Sequence, residues 1–205
     1  MYGMFQNTGF NQDISRWNVS SVTDMEMMFF NAYNFNQNIS GWDVSSVTTM
    51  RNMFSLSKFN QDISRWDVSS VTTMVEMLTF LPEFNSDLSG WNVSSVTDMS
   101  DMFNMATKFN QDISKWDVSS VTGMSGMFNN AASFNQDISG WNVSSVEDMR
   151  DMLKGTAFNQ DISRWDVSSV QIWLSCSWTQ ASSTKTCVSG RIRSFQSQER
   201  TSFSV

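Results

Sequence analysis

FNQDISKWDVSSVTGMSGMF, residues 109–128, is the plainest of seven copies of one sentence of about 25 residues. Its tryptophan marks the beat. Trp17, Trp42, Trp66, Trp91, Trp116, Trp141 and Trp165 follow one another at intervals of 24 or 25 residues. A fixed period in this range is the mark of a stacked-repeat architecture, where no lone copy buries its own apolar face and each packs on its neighbours. Function is then to be sought on a repeated surface rather than in one pocket.

Within the copy around Trp17, the apolar residues Ile14, Trp17, Val19 and Val22 fall at relative positions 1, 4, 6 and 9, the spacing of a leucine-rich repeat. Alternation through Trp17 and Val19 predicts a short strand with one face buried. Val22, Met25, Met28 and Phe29 then recur at steps of three, three and one, the pattern of a helical face. Ser21 with Asp24, Ser95 with Asp98 and Ser145 with Asp148 read as capping boxes for that helix. The variable stretch before the next phenylalanine, such as residues 129–133, returns the chain to the following strand. These readings predict an α/β solenoid over residues 1–170. It would be leucine-rich-repeat-like, with about seven repeats of 24–25 residues, a parallel β-sheet on the concave face and short helices on the convex face.

The edges of the chain depart from the template. Met1, Met4 and Phe5 occupy the slots of Met25, Met28 and Phe29, so the chain opens half a copy early, which reads as the remainder of a longer N-terminus rather than a natural cap. After Val170 the sentence stops, and residues 171–205 read as an atypical cap, with Trp173 and Leu174 over the end of the core, or as a disordered serine-rich tail. Cys176 and Cys187 lie in this segment, compatible with one disulfide in an oxidising compartment or with two free thiols.

Formal net charge is −7. The acidity belongs to the repeats, since residues 1–170 carry 9 Lys and Arg against 19 Asp and Glu. That balance excludes a phosphate-binding groove and hence a nucleic-acid partner. No apolar run reaches the 18 or so residues of a transmembrane segment. Of 16 methionines, 14 fill the two helical slots and only Met27 and Met105 lie outside, so the methionines read as core rather than a soft-metal site. The phenylalanine column, Phe10, Phe35, Phe59, Phe84, Phe109, Phe134 and Phe158, reads the same way.

Three polar columns remain. The first alternates strictly between a base and glycine: Arg16, Gly41, Arg65, Gly90, Lys115, Gly140, Arg164. The second is Asn18, Asp43, Asp67, Asn92, Asp117, Asn142 and Asp166. In the predicted sheet both face the concave side. There they serve either to dilute and pair charge between neighbouring strands or to recognise an extended ligand. Arg16, Asn18, Asp43, Arg65, Asp67, Asn92, Lys115, Asp117, Asn142, Arg164 and Asp166 are accordingly the candidate ligand-binding residues. The third column, Asp13, Asn38, Asp62, Asp87, Asp112, Asp137 and Asp161, is a file of carboxylates. Its words lack a calcium-binding repeat, and its residue type suits bonding to its own backbone in a turn, so no metal is assigned. Asn85 and its equivalents after each phenylalanine suit a buried amide ladder. Asn18, Asn38, Asn92 and Asn142 are sequons that arise within the template by exchange of Asn for Asp. The chain has no histidine, no glycine-rich phosphate loop and no zinc-type cysteine pairing, so it is read as noncatalytic and without cofactors.

FNQDISGWNVSSV at residues 134–146, followed by the M-x-x-M slots, resembles the BspA-like leucine-rich-repeat surface proteins, including the mycoplasma-type lipoprotein-associated repeat of unknown function. The likeness covers residues 1 to about 170. It implies an extracellular, cell-surface or secreted module that binds protein or glycan, here through the concave sheet. The alternative is a structural protein that self-associates through its repeat ends. The family supplies no catalytic residues.

Overall fold

The structure is a computed structural model and describes residues 1–171. Cys176, Cys187, Trp173, Leu174 and the serine-rich segment lie outside the described residues. Among the described residues there is no helix, and β-type pairing between copies is limited to isolated parallel bridges, one residue wide: Asp24 to Thr49, Thr49 to Thr73, Thr73 to Asp98, Asp98 to Gly123 and Gly123 to Asp148. The α/β solenoid with a concave sheet and convex helices is therefore overturned. In its place, each copy is a coil of tight turns laid in register on the next.

The expected helix fails because the backbone changes hand every fourth residue. In the copy after Trp17, Met27 has φ 55° and Asn31 has φ 51°, and the same two slots are left-handed in Asn52 and Leu56, Glu76 and Phe80, Asp101 and Met105, and Gly126 and Asn130. An α-helix cannot pass through such residues. The N–H groups instead alternate. Met28, Phe30 and Ala32 donate to the carbonyl three residues earlier, while Met25, Met27, Phe29 and Asn31 donate to Thr49, Arg51, Met53 and Ser55 of the next copy at 2.8–3.2 Å. A helix would satisfy its donors beyond the first turn internally and leave none of those for its neighbour. The alternation converts half of them into a ladder that zips copy to copy. Ser21, Ser95 and Ser145 thus cap no helix. The acids paired with them make turns, Asp24 accepting from Glu26 N at 2.8 Å and Asp98 from Ser100 N at 2.9 Å.

The expected strand is also two turns. Trp17 N donates to Ile14 O at 3.0 Å and Val22 N to Val19 O at 2.8 Å, a pair repeated along the chain. In the interior copies both turns still point their apolar residues inward, so the core reading survives there without the strand, while Met4 is 52% and Trp17 37% exposed. Ile39, Val44, Val47, Met50, Met53 and Phe54 are 0–1% exposed. Within a copy the two phenylalanines stack face to face, as in Phe29 on Phe35 at 3.7 Å and Phe128 on Phe134 at 3.9 Å. Across copies they form files, with Phe103 and Phe128 5.5 Å apart, interrupted where Leu78 takes the place of one phenylalanine. Each interior tryptophan is buried and donates its indole N–H to the isoleucine or leucine carbonyl of the preceding copy: Trp42 to Ile14, Trp66 to Ile39, Trp91 to Ile63, Trp116 to Leu88, Trp141 to Ile113.

The asparagine after each phenylalanine does form a ladder, but at the surface rather than in the core. Asn11 accepts from Asn36 N, Asn36 from Asn60 N, Asn85 from Asn110 N, and Asn110 from Asn135 N, all at 2.8–2.9 Å. Asn11, Asn36 and Asn85 are exposed and Asn110 half-buried. Gln136 Nε2 adds bonds to the Asn110 carbonyl and side chain. Asn110→Ala removes the side-chain acceptor of Asn135 N and Gln136 Nε2 and is expected to cost about 1 kcal/mol in urea denaturation.

Candidate functional site

All eleven candidate residues, Arg16, Asn18, Asp43, Arg65, Asp67, Asn92, Lys115, Asp117, Asn142, Arg164 and Asp166, are exposed. They do not line a concave sheet, since there is none. They stand on the two successive turns of each copy, and backbone bonds fix the carbonyl-bearing ones in place.

The Asn/Asp column accepts from the serine two residues on. Asn18 Oδ1 takes Ser20 N at 3.1 Å and Ser20 Oγ at 2.8 Å, and Asp117 Oδ1 takes Ser119 N at 3.1 Å and Ser119 Oγ at 2.6 Å. The same bonds recur at Asp43, Asn92 and Asn142, and the backbone bond at Asp67 and Asp166. These are Asx turns, which asparagine and aspartate make equally well, so their exchange along the column leaves the fold alone. The third column does the same one turn earlier, with Asp13, Asn38, Asp62, Asp87, Asp112, Asp137 and Asp161 accepting from Ser15, Ser40, Ser64, Ser89, Ser114, Ser139 and Ser163 at 2.8–3.0 Å. One oxygen of each carboxylate is thus committed to its own turn. Among the described residues, no group of three or more acidic, histidine or cysteine side chains is arranged to hold a metal.

Electrostatics follows this bonding. Hydrogen bonds from the Ser45 and Ser119 hydroxyls and backbones hold the Asp43 and Asp117 carboxyls below the usual range. Asp13, Asp62 and Asp112 are lowered by Ser15, Ser64 and Ser114, and further by the charges of Arg16, Arg65 and Lys115. The bases therefore act on the third column, three residues back in their own copy, rather than on their chain neighbours in the second. Lys115 shares a shallow depression of about 240 Å³ with Asp87, Ser89, Gln111 and Asp112.

The glycines of the first column mark its most informative geometry. Gly41, Gly90 and Gly140 are absent from the left-handed positions, and a Cβ added at Gly41 or Gly140 meets nothing within 4 Å. At Gly90 it meets only the Ser64 carbonyl, at 4.0 Å. Neither backbone nor packing demands glycine there. The alternation of base and glycine is a property of the surface. What sequence reasoning left without a role is the serine of each turn, whose recurrence two residues after each Asp or Asn was the legible sign of paired Asx turns.

No curated protein and no solved structure matches the chain. No helix among the described residues is long and apolar enough to cross a membrane. The family described as "Mycoplasma protein of unknown function, DUF285" matches over residues 1–96 and again over 79–189, so the repeats and nearly the whole chain fall within its span. The chain belongs to that family.

Proposed function

We propose that the chain is a noncatalytic binding module of the cell-surface or secreted type, recognising protein or glycan through the turn face that carries the base/glycine and Asn/Asp columns. The observation that carries this reading is the open space around Gly41 and Gly140. A column whose alternation is not required by the fold is free to be set by what it meets. The Asx turns support the same reading. They hold seven acceptor side chains at fixed register on successive copies, and pre-organised polar groups bind with less ordering cost than mobile ones. The likeness of the repeated sentence to BspA-like surface proteins supports an adhesive role and an extracellular location.

The quadruple variant Arg16→Ser, Arg65→Ser, Lys115→Ser and Arg164→Ser tests the proposal on a glycan array and in pull-downs from surface-protein extracts. These exposed side chains support no core contact, so the variant is expected to melt with the parent while its retained ligands fall by about tenfold or more. Undiminished binding removes the basic column from the mechanism.

A further inference from the structure

The second left-handed slot of each copy has a clear template. It holds Asn7, Asn31, Asn130 and Gly155, the residue types that adopt positive φ most readily. Three consecutive copies break the template with Leu56 at φ 60°, Phe80 at φ 56° and Met105 at φ 61°. These are bulky apolar residues for which that conformation is unfavourable. Burial does not compensate, because Leu56 is 41% and Phe80 45% exposed and Met105 is half-buried. They also adjoin. Leu56 N donates to Thr79 O and Phe80 N to Asn104 O, which sets the three side chains on neighbouring rungs of one ladder.

Four residues before Phe80 and Met105, the first left-handed slot holds Glu76 and Asp101. Glu76 N donates to Ser100 O at 2.9 Å, which sets the two carboxylates on adjoining rungs: burial and then Glu76 push the Asp101 carboxyl up, while Asn104 Nδ2, donating to it at 2.9 Å, and the charge of Arg150 oppose this. The net effect on the Asp101 carboxylate is still unfavourable, since its pKa is raised despite the Asn104 bond. Asparagine would sit in the ladder slots without strain, and a neutral residue in the first slot without repulsion.

We infer that Leu56, Phe80 and Met105, together with Glu76 and Asp101, form a docking ladder for a cationic amphipathic segment of another protein. The apolar side chains take the segment's hydrophobic residues, and a Lys or Arg meets the two carboxylates. Charge selects this occupant over the repeats of a second copy, whose residues 1–170 carry 9 Lys and Arg against 19 Asp and Glu and would bring like charge to the same place. This surface is separate from the turn face above, and its test is independent of it.

Short random peptides displayed on phage and selected on the full chain provide the probe. Selection is expected to enrich sequences that combine apolar residues with Lys or Arg. Their affinity should fall at least about tenfold on the Leu56→Asn, Phe80→Asn, Met105→Asn variant. That variant installs the template residue in each slot and is expected to melt no lower than the parent. Glu76→Gln with Asp101→Asn should relax the requirement for a base while leaving the apolar one. No enrichment, equal enrichment on the triple asparagine variant, enrichment without basic residues, or a clear fall in melting temperature of that variant would each overturn the assignment.

Discussion

Trp116→Ala is expected to lower the free energy of unfolding by about 3–5 kcal/mol, the range for truncating a large buried aromatic. The indole is 3% exposed, 6.5 Å from both Trp91 and Trp141 and 6.3 Å from Phe103, so its removal empties a site shared by three copies. It also removes one of the two donors to the Leu88 carbonyl, the 3.0 Å indole bond, leaving the 3.1 Å bond from Trp91 N. Trp116→Phe separates these contributions, because phenylalanine keeps much of the volume but has no donor. The lost indole bond then accounts for about 0.5–1.5 kcal/mol. A second signature comes from the one-dimensional architecture. Each copy contacts only its neighbours, so damage to an interior copy uncouples the coils on either side. Urea denaturation of Trp116→Ala should accordingly show a shallower transition as well as an earlier midpoint. A loss below about 1 kcal/mol would mean that the stacked tryptophans do not bind the copies together.

The core was legible in the sequence and the secondary structure was not, for one reason. Apolar spacing reports which side chains point inward, and several backbones give the same answer. Val22, Met25, Met28 and Phe29 point inward from a helix, but equally from a chain that alternates turns with residues at φ near 55°. The sign that separated them was turn chemistry within the supposed helix. Asn31, Asn130, Gly126 and Gly155 recur in slots four residues apart, where a helix former would be expected. Ile14 to Val22 was ambiguous in the same way, since leucine-rich-repeat spacing fits two Asx turns as well as a strand. Asp13 with Ser15 and Asn18 with Ser20 were the indication. The candidate columns were legible as exposed because polarity and register are enough to place a residue outside. Their bonding was not, because a carboxylate that closes its own turn and one that awaits a ligand have the same spelling. The partly exposed ladder of Leu56, Phe80 and Met105 was hidden for another reason. They fall in the variable stretch before the next phenylalanine, where the repeat spacing assigns no face to a side chain.

The Asx turns also make the fold sensitive to acid. Asp13, Asp43, Asp62, Asp67, Asp87, Asp112, Asp117, Asp137 and Asp166 are all held below their ordinary value of 3.8 by hydrogen bonds from the serine two residues on. A carboxyl whose folded pKa lies below its unfolded pKa contributes stability that is present above the unfolded value, about 3.9, and lost as pH falls through the folded one. Each of these groups is exposed and contributes little by itself. They share a sign, however, so in the folded state nine protons are resisted together. Asp101 opposes them. Raised by burial and by Glu76, it favours the folded state when protonated, and that contribution is lost as pH rises through its folded pKa. One such group does not offset nine. Urea unfolding should show stability nearly level from about pH 7 to 5 and falling steeply below about pH 4. Asp43→Asn, Asp67→Asn, Asp117→Asn and Asp166→Asn together provide the decisive comparison. Asn18, Asn92 and Asn142 already make the same turn without a titratable group, so the variant should keep the fold and show a shallower loss below about pH 4. Equal slopes in the two proteins would place the acid sensitivity outside the second column, and with it the premise that these carboxylates serve the turns.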